Sequence, residues 1–284
     1  MVNTNIKKIF FKVASEYINS NTELAVQFKK RGGHHDWRRP TLLVNEISKR
    51  LNTPEAKFLD IGTGHGIIPR MIKEFGNYVI SVDWPASGGT DALKALMGIG
   101  IEGYYVHVGN EPIPIQDSSV DVAFAGDVIE HIPHNPIPFL TELIRVIRPS
   151  GVLILDTPNS ISLYTRLKIL MGQSNWPSLD AITSSDINIH HHKEYTLSEL
   201  KSLLNMVGLK QVSGYTYETF WFKSVKKHGK LGTIGTDPSK ATQFSVGFNP
   251  LKPYEYVRLI CLVLVKIFPS FRSSILASGR IEKV

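Results

Sequence analysis

Phe58-Leu59-Asp60-Ile61-Gly62-Thr63-Gly64-His65-Gly66-Ile67 (FLDIGTGHGI) runs from an apolar strand-like segment into a turn with three glycines, then toward a helix. Glycines here let backbone N–H groups approach a ligand closely. A P-loop ends in Gly-Lys-Ser/Thr, whereas this turn ends in Gly66-Ile67-Ile68, which excludes that reading. A dinucleotide fingerprint needs a small residue where Ile67 stands, and a β-branched side chain there keeps the helix off the strand. Asp60 puts a carboxylate at the strand's end, beside the turn. Such a charge repels a pyrophosphate and favours a ligand bearing an ammonium or sulfonium.

Outward from this turn, strands and helices alternate. KFLDIG, NYVISVD, GYYVHV, VDVAFAG and GVLILDTP are apolar runs of the kind buried parallel strands show, and IIPRMIKEFG, DALKALMG and NPIPFLTELIRVIRPSG lie between them. Asp83 closes the second run, where a carboxylate can accept both hydroxyls of a ribose. Upstream, Leu42, Leu43, Ile47 and Leu51 have helical spacing. Downstream, Thr196, Glu199 and Gly208 have the spacing of a capping box and C-cap around TLSELKSLLNMVG. The chain divides into an N-terminal helical extension or lid over residues 1–52, a ligand-binding α/β domain over 53–225, and a loop with an apolar C-terminal helix over 226–284.

With 284 residues the chain can bury a substantial core. The single Cys261 excludes an intramolecular disulfide and cysteine-rich zinc sites, so a cytoplasmic setting is expected. The first residues lack a secretory apolar core, and Leu259 to Val265 is too short to span a membrane. The net charge of +7 favours anionic neighbours.

FLDIGTGHG, VISVDW, PIPIQDSSVDVAFAGDVIEHI and FLTELIRVIRPSGVLILDTPN resemble, in order, the motifs of class I S-adenosylmethionine-dependent methyltransferases of the type 11 subgroup, over roughly residues 55–210. The resemblance implies a Rossmann-like, doubly wound, seven-stranded, mostly parallel sheet with helices on both faces. It also implies S-adenosylmethionine as cofactor. Gly62, Thr63, Gly64 and Gly66 would then pass the methionine portion, with Asp60 orienting it. Asp83 would hold the ribose, Trp84 would pack on the adenine, and Asp127 would lie near the ammonium and the methyl. Asn110 stands where an acid commonly meets the adenine amino group.

Methyl transfer needs alignment above all, but an O- or N-nucleophile also needs a base. His131 and His134 follow the fourth strand, at the carboxyl edge where ligands bind in doubly wound sheets. His190, His191 and His192 belong to HHHKEYT, which resembles a segment over the acceptor side in these enzymes. His131 and His191 are taken as catalytic. Asp127, Glu130 and His131 would share one helical face if their turn is helical, a spacing that resembles metal-binding clusters of some O-methyltransferases; no metal is assigned. The basic loop KKRGGHHDWRRP offers Arg38 or Arg39 to an anionic acceptor, though a solvated segment is the simpler reading.

The sequence thus reads as a methyltransferase acting on O or N of a small-molecule, sugar or lipid-linked acceptor. Rival readings are a non-catalytic methyltransferase-like binding protein and a nicotinamide-dependent oxidoreductase. Nucleic acid is not favoured as a partner. The C-terminal helix is a candidate for homodimer packing or peripheral membrane contact.

Overall fold

The computed structural model describes residues 4–19, 37–84, 90–133, 135–176, 191–218 and 253–282. His134, His190 and the whole segment read as loop over 226–252 lie outside the described residues. Two helices, α1 (Thr4–Asn19) and α2 (Arg38–Ser48), precede β1 (Lys57–Ile61). Then follow α3 (Ile67–Lys73), β2 (Tyr78–Asp83), α4 (Thr90–Gly98), β3 (Glu102–Tyr105), β4 (Val120–Gly126), α5 (Ile137–Val146) and β5 (Ile147–Pro158). The last elements are α6 (Leu163–Leu170), α7 (Leu197–Met206), β6 (Lys210–Tyr217), α8 (Pro253–Ile267) and β7 (Ser274–Arg280).

Seven strands form one sheet in the order β3-β2-β1-β4-β5-β7-β6. The first five pair in parallel, and β7 runs antiparallel to both β5 and β6. Successive side chains of a strand face opposite ways, so an apolar strand feeds two cores. In β4 and β5, Val122, Phe124, Val152 and Ile154 enter a core shared with α1, α2 and α3. Ala123, Ala125, Leu153 and Leu155 enter the opposite core, shared with α5 and α7. Phe10, Val13, Leu43, Val44 and Ile47 are fully or almost fully buried, so the N-terminal helices cover the sheet itself.

Local signals read from the sequence hold where the chemistry is local. Thr196 and Glu199 form the reciprocal capping box of α7, and Gly208 has φ +87°. The strand β7 falls in the stretch read as a helix and tail. Its sequence, SILASGR, mixes small and polar residues and carries a weak strand signal. One of its small residues is set by packing: a Cβ on Gly279 would stand 2.8 Å from Cβ of Leu209, just before β6.

β1 lies between β2 and β4, so the chain crosses from one side of β1 to the other. Such a switch point opens a crevice at the carboxyl ends of the strands. Asp60, Asp83 and Asp127 all lie at that edge, at or just beyond the ends of β1, β2 and β4.

Candidate active site

The turn after β1 is shaped by its glycines. Gly62, Gly64 and Gly66 have φ of +76°, +54° and +71°, in the left-handed region that side chains disfavour. A Cβ on Gly62 would also collide with the Val128 side chain, which follows β4. Thus Gly62 is fixed by both its backbone angle and the approach of the neighbouring turn. Gly62 N–H donates to the Val82 carbonyl at 2.9 Å, and Gly66 N–H to the Thr63 carbonyl at 2.8 Å. The Thr63 hydroxyl donates to the same Val82 carbonyl at 3.5 Å.

Asp83 ties this turn to β2. Its Oδ2 accepts from Gly64 N–H at 3.1 Å and its Oδ1 from Trp84 N–H at 2.7 Å. Each carboxylate oxygen can accept a further hydrogen bond. The Trp84 ring stacks on His107, with centroids 4.1 Å apart and planes 11° from parallel. Asn110 Nδ2 lies 2.9 Å from His107 Nδ1, so Trp84, His107 and Asn110 form one wall. GYYVHV reads as a single strand, but β3 ends at Tyr105, which frees His107 to turn beneath Trp84.

Asp60 is buried, and its Oδ2 has no hydrogen-bond partner. Burial, with the nearby Asp83 charge, pushes its carboxyl up to about 8. A buried carboxyl of this kind holds its proton or receives a cation.

Asp127 has φ +52°, an uncommon conformation for a residue with a side chain, and its N–H donates to the Asp156 carbonyl at 2.8 Å. Its carboxylate meets Arg39 from the first turn of α2: Arg39 Nη1 lies 2.5 Å from Asp127 Oδ2. Arg39 Nη2 and Nε reach Asp156 Oδ2 at 2.5 and 3.1 Å. The Tyr217 hydroxyl donates to Asp156 Oδ1 at 2.6 Å. Burial alone would lower the guanidinium's pKa, but Asp156 and Asp127 outweigh it and raise it further. Arg39 therefore pairs with the protein's own carboxylates, contrary to the role weighed for it toward an anionic acceptor. Arg38 lies over the Trp37 ring, 5.2 Å from its centroid.

The two histidines taken as catalytic, 60 residues apart in sequence, meet edge to face with centroids 4.9 Å apart. His191 Nδ1 lies 2.8 Å from Glu194 Oε1. That hydrogen bond raises the imidazole's pKa against the effect of burial, and nearby Glu130 adds to the rise. His192 N–H donates to the Glu130 carbonyl at 2.7 Å, which joins the histidine segment to the turn after β4. Glu130 is fully buried; Oε2 accepts from the Thr157 hydroxyl at 3.0 Å, and Oε1 has no partner. Burial pushes its carboxyl upward, and Asp127 adds to the shift.

The helical face expected for Asp127, Glu130 and His131 does not form. Residues Ile129–His131 make a short 3-10 turn, and Asp127 is drawn toward Arg39. The set that does converge is Glu130, His131 and His191, with ligand-type atoms within 4.8 Å of one another. Asp156, Tyr217, Glu194 and His107 were not singled out in the sequence, since their partners lie far along the chain or beyond a strand end.

The arrangement fits a nucleoside ligand with an attached cation. The glycine turn exposes backbone, Asp83 retains acceptor capacity, and Asp60 Oδ2 is a buried acceptor lacking a donor. Residues 59–155 match a family described as a methyltransferase domain. A probable S-adenosylmethionine-dependent methyltransferase of Mycolicibacterium smegmatis is 28% identical over 150 residues, 53% of this chain and 50% of that protein. A malonyl-[acyl-carrier protein] O-methyltransferase of Serratia marcescens is 28% identical over 149 residues, 51% of this chain and 55% of its own length. The chain thus spans about half the length of these two relatives. A crystal structure of an S-adenosylmethionine-dependent methyltransferase from Archaeoglobus fulgidus shares the fold, with a TM-score of 0.57 and 16% identity over 90% of this chain and 98% of that one. Glycine turn, sheet order and family match agree: the chain has a class I, type 11 methyltransferase-like fold, and its residues 59–155 are similar to the methyltransferase-domain family.

Proposed function

We propose that the protein transfers a methyl group from S-adenosylmethionine to an oxygen or nitrogen of a small-molecule, sugar or lipid-linked acceptor. The observation that carries this reading is the pairing of Asp60 and Asp83 around the glycine turn, one buried and lacking a donor, the other already holding the turn. Bound S-adenosylmethionine supplies an electrophilic methyl on a sulfonium. The chain's own groups supply the rest. Gly62, Thr63, Gly64 and Gly66 line the methionine portion, and Asp60 orients its ammonium. Asp83 accepts the ribose hydroxyls. Trp84, with His107 behind it, offers a flat surface to the adenine, and Asn110 lies beside it. Asp127, held by Arg39, borders the methyl.

His191 suits the base. Its Nδ1–H stays on Glu194 while Nε2 takes the acceptor's proton, which is how a carboxylate fixes a tautomer and stabilises the imidazolium. His131, edge to face against it, limits how that ring can turn. The acceptor class rests on the resemblance of the HHHKEYT segment and on the apolar C-terminal helix, not on a contact.

Calorimetric titration with S-adenosylmethionine and S-adenosylhomocysteine on wild type and Asp83→Ala tests the cofactor reading. Micromolar binding that the substitution largely abolishes is expected. Folded protein that binds neither ligand sinks it. Product formation from an acceptor panel then separates an enzyme from a binding protein that has kept the fold.

A further inference from the structure

Helices α6 and α8 stand at the same edge of the sheet as the crevice. Pro158, at the end of β5, pairs with Ser274, at the start of β7. Asn159 Nδ2 binds the Ser270 and Arg272 carbonyls at 3.0 and 2.7 Å, which pins the start of α6 to the end of α8. The two helices share a small core of their own, centred on Leu163, Cys261 and Val265. That core uses only one side of α8. The opposite side carries Tyr256, Leu259, Ile260, Val263 and Ile267, all exposed, with Ile260 at 60% and Ile267 at 61%. Their spacing of three and four residues makes one continuous stripe. At the far end of α6, Leu170, Met171 and Trp176 are exposed at 81%, 66% and 72%. An amphipathic helix should not be apolar on both sides, and an apolar surface of this extent marks an interaction site.

The charges select the occupant. Arg166, Lys168 and Lys266 are exposed or half-exposed on these two helices, Arg258 is buried and Arg272 binds backbone carbonyls, and Glu255 near the start of α8 is the one acidic residue in residues 159–176 and 253–273. A second copy of this chain would bring the same positive charges against themselves. An anionic bilayer supplies opposite charge at its surface and an apolar layer just beneath. Aromatic residues such as Tyr256 and Trp176 are suited to the boundary between the two. No helix among the described residues is long and apolar enough to cross a membrane, so contact would be peripheral.

We propose that the outer faces of α6 and α8 seat the protein on anionic lipid bilayers, with the crevice edge of the sheet turned toward the membrane. The proposal does not depend on the methyl-transfer reading. The test is sedimentation of the full chain with phosphatidylcholine vesicles, with and without phosphatidylglycerol, for wild type, Ile260→Glu/Val263→Glu, and Leu170→Glu. Both substitutions fall on exposed positions, and circular dichroism with S-adenosylhomocysteine titration reports their folding. Wild type should sediment with phosphatidylglycerol vesicles, less so in high salt. Each variant should bind at least about tenfold more weakly while staying folded. Wild type that stays in the supernatant with every vesicle overturns the proposal. So does equal binding by the folded variants. A wild-type dimer that the α8 variant converts to monomer, seen by light scattering, also overturns it and makes the stripe a contact between copies.

Discussion

The buried carboxyl of Asp60 predicts a proton-coupled cofactor. Its pKa of about 8 means that at pH 7 about 0.9 of it is protonated in the free protein, by simple titration. A ligand ammonium placed against Oδ2 favours the ionised form, so binding expels that proton. Calorimetry at pH 7 in buffers of small and large ionisation enthalpy should therefore report release of about 0.9 proton per S-adenosylhomocysteine bound. Affinity should rise about ninefold from pH 6 to pH 7, following the ionised fraction, a range below the ligand's own amine titration. Stability should run the other way. A folded-state pKa raised above the unfolded value contributes stability that is complete below about 4 and is lost as pH rises toward about 8. Asp60→Asn removes both effects: proton release near zero, affinity flat between pH 6 and 7, and a weaker dependence of unfolding on pH. Tight binding by wild type with no proton release, and no change with pH, would refute the placement of the ligand cation at Asp60.

Arg39→Met strands Asp156, which is fully buried, and should cost about 3–5 kcal/mol, seen as a fall in Tm of ~10 °C; Asp156→Asn in the same chain should restore much of it. Gly62→Ala meets both a left-handed backbone and Val128, so chemical denaturation should show a loss of about 1–2 kcal/mol or more, with at least tenfold weaker cofactor binding. Unchanged affinity would remove the turn from the cofactor site. Methyl transfer should require neutral His191, so its rate should climb as pH passes the raised pKa of that imidazole. Glu194→Gln should shift the climb to lower pH and lower the plateau, and an unmoved profile would exclude His191 as the base. Dialysis against EDTA should leave transfer intact; loss restored by magnesium or manganese would replace the proposed base role of His191 with cation binding at Glu130, His131 and His191.

What was legible in the sequence was what neighbours along the chain decide. The glycine turn, Asp83 at a strand end and the capping box at Thr196 each depend on residues within a few positions, and backbone rules read them directly. His131 and His191 were legible as candidates, but their contact across 60 residues is a product of packing. The Arg39, Asp156 and Tyr217 cluster joins positions separated by 117 and 61 residues, and no periodicity marks such a group. Glu130 looked like one member of a helical face because a three-residue 3-10 turn and an α-turn have similar sequences. The strand β7 was missed because its burial between neighbours, rather than its composition, makes it a strand.

That strand also fixes an order of events during synthesis. β6 pairs into the sheet through β7, which the ribosome makes later. Val152 waits for Arg280, 128 residues downstream, before β5 gains its second neighbour. Until then β5 is an open edge of the kind that pairs with other chains, and closing the sheet needs a long-range contact of the kind that slows folding.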